Sequence, residues 1–327
     1  MRSFDNFTDA YIELAHELLD EFEFQSAPRG QKIIEKLGVQ FRIRNPRDRL
    51  PHVKARDFSM SYLVAETIWY MSGNDSTAWI SKYAPFWKNI TDDGVTANSA
   101  YGSRIFRNHP RIGNGEIIQW NYIKEELTKD PDSRRAVIHI RTPNDSIVDS
   151  KDVPCTLSLQ FFIRDSKLHL HVNMRSSDII LGLAYDVPAF TIMQEAMANE
   201  LGIELGHYVH TSNSLHCYER DFEMLRSISQ SPMVHKNPMR PLPNTFPVDH
   251  LVRVEEAVAA MSNEEIKSGS TFFVPKLTEG FDNLSADFVH DWCKILIIRR
   301  LRKLGENDLV DKVIANLSDT SYQFFNR

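Results

Sequence analysis

Residues 156–174 read TLSLQFFIRDSKLHLHVNM. Apolar and polar side chains alternate on both sides of RDS. A period of two puts one face of a strand in a core and the other outside it. Two such runs, 156–163 and 167–174, joined by so short a segment predict an antiparallel hairpin. Around it, GVQFRIR (38–44), RRAVIHIRT (134–142) and GHYVHTS (206–212) read as further strands. Residues 5–22 predict a helix with Tyr11, Leu14, Ala15, Leu18, Leu19 and Phe22 on one face. Residues 57–73 predict another, with Asp57 as its N-cap and Gly73 just past its end. Glu66 lies inside that apolar run. Residues 187–202 predict a buried helix. The expected class is α+β, a mixed sheet packed with helices.

The composition changes near residue 231. SPMVHKNPMRPLPNTFP (231–247) holds five of the chain's 15 prolines and reads as an extended connector. Helical periodicity follows in 248–261, 286–305 and 307–317. The expected organisation is a catalytic core over 1–230 and a connector with a helical extension over 231–327.

The 327 residues are 42% hydrophobic, enough for a large core, and the net charge of −6 does not favour a nucleic-acid polymer as partner. Three cysteines without a CxxC argue against a disulfide framework or a metal site. The first residues carry acids where a signal peptide would not, and no apolar run reaches membrane-spanning length. A soluble cytoplasmic protein without a metal is expected.

Several side chains could carry chemistry. Asp186 stands in RSSDIILGLAYDVPAF (175–190), among apolar residues. A buried carboxylate is costly unless paired. Asp186 either caps a helix starting near Val187 and Pro188 or reads a ligand. Cys155, after a proline at the mouth of a strand, is a small core residue or a nucleophile activated by nearby Arg or Lys. Arg29, Arg175 with Ser176, and the pair Arg134 and Arg135 suit an oxyanion or surface ion pairs. His216 and Tyr218, two apart at a strand end, face the same side.

In order along the chain, DPDSRR, PC…QFF, RSSDIILGL and HCY resemble the motifs of the thymidylate synthase family, over roughly residues 8–225. The resemblance implies a thymidylate synthase-like fold whose sheet face forms a dimer interface. It implies that Cys155 attacks C6 of a pyrimidine nucleotide monophosphate. Arg175, Ser176 and Arg29 would hold the phosphate. Arg134 and Arg135 would reach across a homodimer to the partner subunit's site. His216 and Tyr218 would hold the sugar 3′-hydroxyl. Glu66 would organise water and proton transfer, with Tyr101 in the same water network. Asp178 and Gly182 would line the base, with Asp178 and Trp87 on the folate side. The one-carbon donor would be 5,10-methylenetetrahydrofolate.

Three departures from the family pattern bear on substrate. Asp186 replaces an Asn that pairs with uracil. An ionised carboxylate accepts from the N4 amino group of cytosine but is repelled by O4 of uracil. Asp186 should therefore favour cytosine, with N3 or the carboxyl carrying the completing proton, and an Asp here resembles the family's cytidylate 5-hydroxymethylase branch. Thr156 replaces the His that follows the nucleophile. The position of a Trp that shields the reactive methylene falls on Ala84 or Pro85, beside Trp87, and DTSYQFFNR stands where the family has a closing tail. Ser133 and Ser176 resemble the family's common deoxynucleotide pattern, which implies dCMP ahead of CMP. The alternatives are a CMP-specific hydroxymethylase of nucleoside natural-product biosynthesis, a thymidylate synthase methylating dUMP, and a non-catalytic nucleotide-binding relative.

Overall fold

The computed structural model describes residues 1–111, 115–147, 149–233, 237–269 and 281–325. Its strands are β1 (Arg2–Phe4), β2 (Phe24–Ser26), β3 (Ile33–Ile43), β4 (Asn108–Arg111), β5 (Gly115–Ile118), β6 (Val137–His139), β7 (Thr156–Arg164), β8 (Lys167–Met174), β9 (Ser177–Asp178) and β10 (Glu204–Tyr218). Its helices are α1 (Phe7–Asp20), α2 (Met60–Met71), α3 (Thr77–Ile80), α4 (Trp87–Ile90), α5 (Tyr101–Phe106), α6 (Gln119–Lys129), α7 (Leu183–Leu201), α8 (Phe222–Ser229), α9 (Val248–Ala260), α10 (Asn263–Gly269), α11 (Asn283–Lys303) and α12 (Asn307–Ala315).

The predicted hairpin is present: β7 and β8 pair antiparallel from Arg164 with Lys167 to Thr156 with Met174. Its turn is Asp165 and Ser166, at φ of 51° and 58°. Two successive left-handed residues match the twist of the strands they join. Leu168, Leu170, Val172 and Met174 are fully buried, and the residues between them are only half-buried. From this hairpin the sheet grows in the order β1-β3-β10-β8-β7-β6, with β2 added to β3 and β9 to β10. β10 runs parallel to β8 and antiparallel to β3, so the sheet is mixed and the class is α+β.

Two strands exceed their predicted lengths. β10 runs on through TSNSLHCY because β3 and β9 offer it ladder partners there. β3 starts at Ile33 for the same reason, with β2 alongside. The strand expected over 134–142 shrinks to Val137–His139 at the sheet edge. Residues 237–247 carry no helix or strand, and 234–236 lie outside the described residues.

α7 packs on β8 and β10, and α2 packs on α7. Every residue of α2 is buried. A helix apolar on all sides needs cover on all sides. Here α9 and α11 of the C-terminal extension supply the outer cover. The N-cap of α2 is Ser59, whose hydroxyl accepts from Tyr62 N. Asp57 does not cap it: at φ 49° it closes the short turn Lys54–Arg56 instead.

α7 begins at Leu183, four residues before the expected start. Asp178 Oδ1 accepts from Ile180 N (2.8 Å) and Leu181 N (3.2 Å), and this local turn launches the helix early. Gly182 is the cap residue and has no side-chain cap, so Asp186 is not an N-cap.

Further along α7, fully buried Glu195 accepts from Arg49, from Arg47 Nε (2.8 Å) and from Leu242 N (3.1 Å). Burial alone would raise this carboxyl. The Arg49 and Arg47 guanidinia outweigh it and hold Glu195 below the usual carboxylate range. Glu195→Ala leaves buried Arg49 without its partner. It should cost about 3–5 kcal/mol in denaturant unfolding; a loss under about 1 kcal/mol would mean Arg49 is stabilised elsewhere.

Candidate active site

The two innermost helices each carry a carboxyl. On α2, Glu66 accepts from Tyr62 Oη at 2.6 Å and from Tyr70 Oη at 3.2 Å. The two phenols lie four residues before and four after it, so all three share one helix face. Burial pushes Glu66 up to about 7, although both phenol bonds oppose the shift. A carboxyl poised there can take or give a proton near neutral pH. Trp87 Nε1 donates to Tyr62 Oη at 3.2 Å. Tyr101 stacks on Tyr70 (5.1 Å between centroids) and on Phe190 (5.8 Å).

On α7, Asp186 stands in the first turn with its carboxyl half-buried. It accepts no hydrogen bond from the described residues. Burial, then Glu66, then Asp178 keep it well above the usual carboxylate range. Gly182, one turn earlier, has no side chain. A Cβ there would lie 3.2 Å from Asp178 O and 3.3 Å from Asp186 Oδ2. The glycine thus leaves the approach to the Asp186 carboxyl open.

The hairpin delivers the thiol. Cys155 precedes β7 and Arg175 follows β8, so their register brings them side by side. Arg175 N donates to Cys155 O at 2.8 Å. The Arg175 guanidinium donates to Pro154 O (2.9 Å), Val153 O (2.9 Å) and Ser176 Oγ (3.2 Å). Ser176 Oγ in turn donates to Cys155 Sγ at 3.8 Å. Burial pushes the Cys155 thiol up. Arg175, Ser176 and Arg29 act against burial, and Asp186 acts with it. Arg29, exposed on the turn Pro28–Gly30, therefore lies within electrostatic reach of the thiol. In the free protein Cys155 is a thiol, and its attack requires a proton to be passed on.

At the end of β10 the rings of His216 and Tyr218 meet edge-on at 5.4 Å. Asp178 pairs with His216 in the β9–β10 register, which joins them to the Gly182 turn. Arg220 covers the Tyr218 ring at 4.2 Å.

Most of the residues singled out in the sequence thus converge: Cys155, Arg175, Ser176, Arg29, Asp186, Glu66 and Tyr101 around the thiol, and Asp178, Gly182, His216 and Tyr218 beside them. Arg134 and Arg135 do not join them. Both side chains are exposed before the edge strand β6, with no partner among the described residues. Ser133 is tied to the preceding helix α6, donating to Glu126 Oε1 at 2.6 Å. Among the described residues Trp87 reaches the site through Tyr62. Sequence reasoning missed Tyr62 and Tyr70, whose signal was their spacing around Glu66. It also missed that the Thr156 hydroxyl reaches Tyr101. Among the described residues no cluster of His, Cys, Asp or Glu could hold a metal, and no helix is long and apolar enough to cross a membrane.

A family model described as thymidylate synthase matches residues 9–245. A deoxyuridylate hydroxymethyltransferase of Bacillus phage SP01 is 34% identical over 222 residues, 66% of this chain and 58% of that protein. The chain thus spans under two thirds of the length of this curated relative. Thermostable thymidylate synthase A from Bacillus subtilis has the same fold, at a TM-score of 0.61 and 19% identity over 75% of this chain and 93% of that one.

Proposed function

The chain belongs to the thymidylate synthase family, and on that premise we propose that it adds a hydroxymethyl group to C5 of a cytidine monophosphate, dCMP ahead of CMP. Asp186 carries this reading. Its carboxyl is raised well above the usual range, is free of protein hydrogen bonds among the described residues, and lies open beside Gly182. One proton shared between this carboxyl and cytosine N3, with N4–H₂ donating to the other oxygen, satisfies both partners. With uracil the same proton must rest against O4, a far weaker base than N3. Dissatisfaction of one such buried contact costs about 1–3 kcal/mol.

Covalent catalysis divides one hard substitution into easier steps. Cys155 Sγ adds to C6 and makes C5 nucleophilic. 5,10-Methylenetetrahydrofolate supplies the one-carbon unit at the formaldehyde level. A cavity of about 800 Å³ beside Phe58, lined also by Val53, Lys54 and Phe325, gives room and an ammonium for an anionic, aromatic co-substrate. Phe58 stacks on Tyr185 of α7 at 4.6 Å, which sets this cavity next to the Asp186 turn. C5 gains the carbon and loses its proton, tetrahydrofolate departs, and water adds to the exocyclic carbon. Glu66 handles the proton of that water, and the Sγ–C6 bond breaks. Tetrahydrofolate leaves unoxidised, so no reductant is consumed.

The protein acts as a homodimer through the solvent face of the sheet. The exposure of Arg134 and Arg135 supports their role at the phosphate in the partner subunit's site. Ser176, beside the thiol, supports the preference for dCMP. A second reading, hydroxymethylation of dUMP, is favoured by the name of the phage relative. Under it, protonated Asp186 donates to O4.

Binding of dCMP measured against pH separates the proposal from a bystander role for Asp186. The carboxyl and N3 together must hold one proton, and they titrate as a pair. Below the raised pKa of that pair the proton is present and affinity is full. Affinity should fall as pH rises through it. Affinity that is flat or increases with pH contradicts the shared-proton pairing.

A further inference from the structure

One charged contact between the C-terminal extension and the core lies at Lys82 and Tyr83. Glu255 of α9, fully buried, accepts from Lys82 Nζ at 3.1 Å and from Tyr83 Oη at 2.9 Å. Arg299 of α11 grips the same two residues from the other side. Its Nη2 donates to Lys82 O (2.8 Å) and Tyr83 O (3.0 Å), and its guanidinium lies 5.3 Å over the Tyr83 ring. An apolar junction would have sufficed to pack two helices. Two opposite charges converging on two consecutive residues instead fix the path of the chain there. One turn later, Trp87 N bonds to Ala84 O at 3.3 Å, and the Trp87 indole N–H reaches Tyr62 Oη, the donor to Glu66.

We infer that Glu255 and Arg299 are positioning residues for Glu66. They hold the Lys82–Tyr83 turn where Trp87 can donate to Tyr62, so the C-terminal helices are part of the proton-handling machinery. The inference rests on the proposal above that Glu66 manages the proton of the water step. A hydroxyl that accepts one hydrogen bond donates a stronger one, by roughly 10–30%. Trp87 therefore strengthens the Tyr62 bond to ionised Glu66, and losing it should raise the proton affinity of Glu66. The other titratable groups facing Glu66 are Tyr70, Tyr101, Tyr185 and Asp186, none of which the clamp touches.

The test is a ¹³C-carboxyl NMR titration of the full chain with labelled glutamate, the Glu66 signal being assigned by Glu66→Gln. The midpoint near 7 should rise by about half a unit in Glu255→Ala, Arg299→Ala and Trp87→Phe. The double variant Glu255→Ala/Trp87→Phe should shift no further than either single one. Glu255→Gln, which still accepts from Tyr83, should stay near wild type. The matching limb of the kcat profile should move with the midpoint, about threefold in rate on its slope, with the nucleotide KM unchanged. An unmoved midpoint in Arg299→Ala, or additive shifts in the double variant, overturns the inference. The expected midpoint shifts in a protein that forms no hydroxymethyl product would uphold the clamp and reject the proposed reaction.

Discussion

Cys155→Ala should lower turnover by about 10⁴-fold or more, the scale seen when a covalent nucleophile is removed. Nucleotide affinity should stay within about threefold of wild type. The separation of the two effects follows from the geometry. The Arg175 guanidinium is anchored on the carbonyls of Val153 and Pro154, not on the thiol. Removing Sγ leaves the strand end, Ser176 and the oxyanion donors where they are. Only the bond to C6 is lost, and with it the nucleophilic C5. Turnover assays with dCMP and methylenetetrahydrofolate, paired with calorimetric binding of dCMP, measure both quantities. Turnover within tenfold of wild type contradicts a covalent route.

The second large effect is on base choice. Asp186→Asn replaces a carboxyl that must share a proton with an amide whose N–H donates at every pH. The amide serves O4 of uracil without a proton from solution. The substitution should move the ratio of kcat/KM for dCMP over dUMP towards uracil by about 10- to 100-fold, corresponding to roughly 1–3 kcal/mol at one buried polar contact. The change adds no volume beside Gly182, so packing at the start of α7 should survive. The dCMP binding of the variant should also lose its decline at high pH. A ratio unchanged within about twofold would place base selection elsewhere in the pocket.

Residues 156–174 reveal their structure in sequence because alternation and a short turn act locally, and β7 and β8 formed as expected. β10 and β3 were only half legible. Their polar halves carry no alternation, and pairing with strands distant in sequence extends them. Asp57 and Asp186 illustrate a different difficulty. Each resembles a helix cap in sequence, yet Ser59 and the Asp178 turn set the actual helix starts. A residue's suitability for a role does not reveal a nearer competitor for it.

Glu66 stood out as a carboxyl in an apolar run. Its elevation to about 7 depends on burial in the folded chain, which the run around it does not reveal. The clamp on Tyr83 was not legible, since 173 residues separate Lys82 from Glu255. Arg134 and Arg135 were legible as a basic pair, but one chain by itself leaves them without a ligand.

The most direct measurement is the mass of the product formed when the protein meets methylenetetrahydrofolate and an equal mixture of dCMP, CMP and dUMP. A hydroxymethyl group on a cytosine nucleotide, with tetrahydrofolate released, is the predicted result, and dCMP should be consumed first. A hydroxymethyl or methyl group appearing on dUMP alone would contradict the role assigned to Asp186.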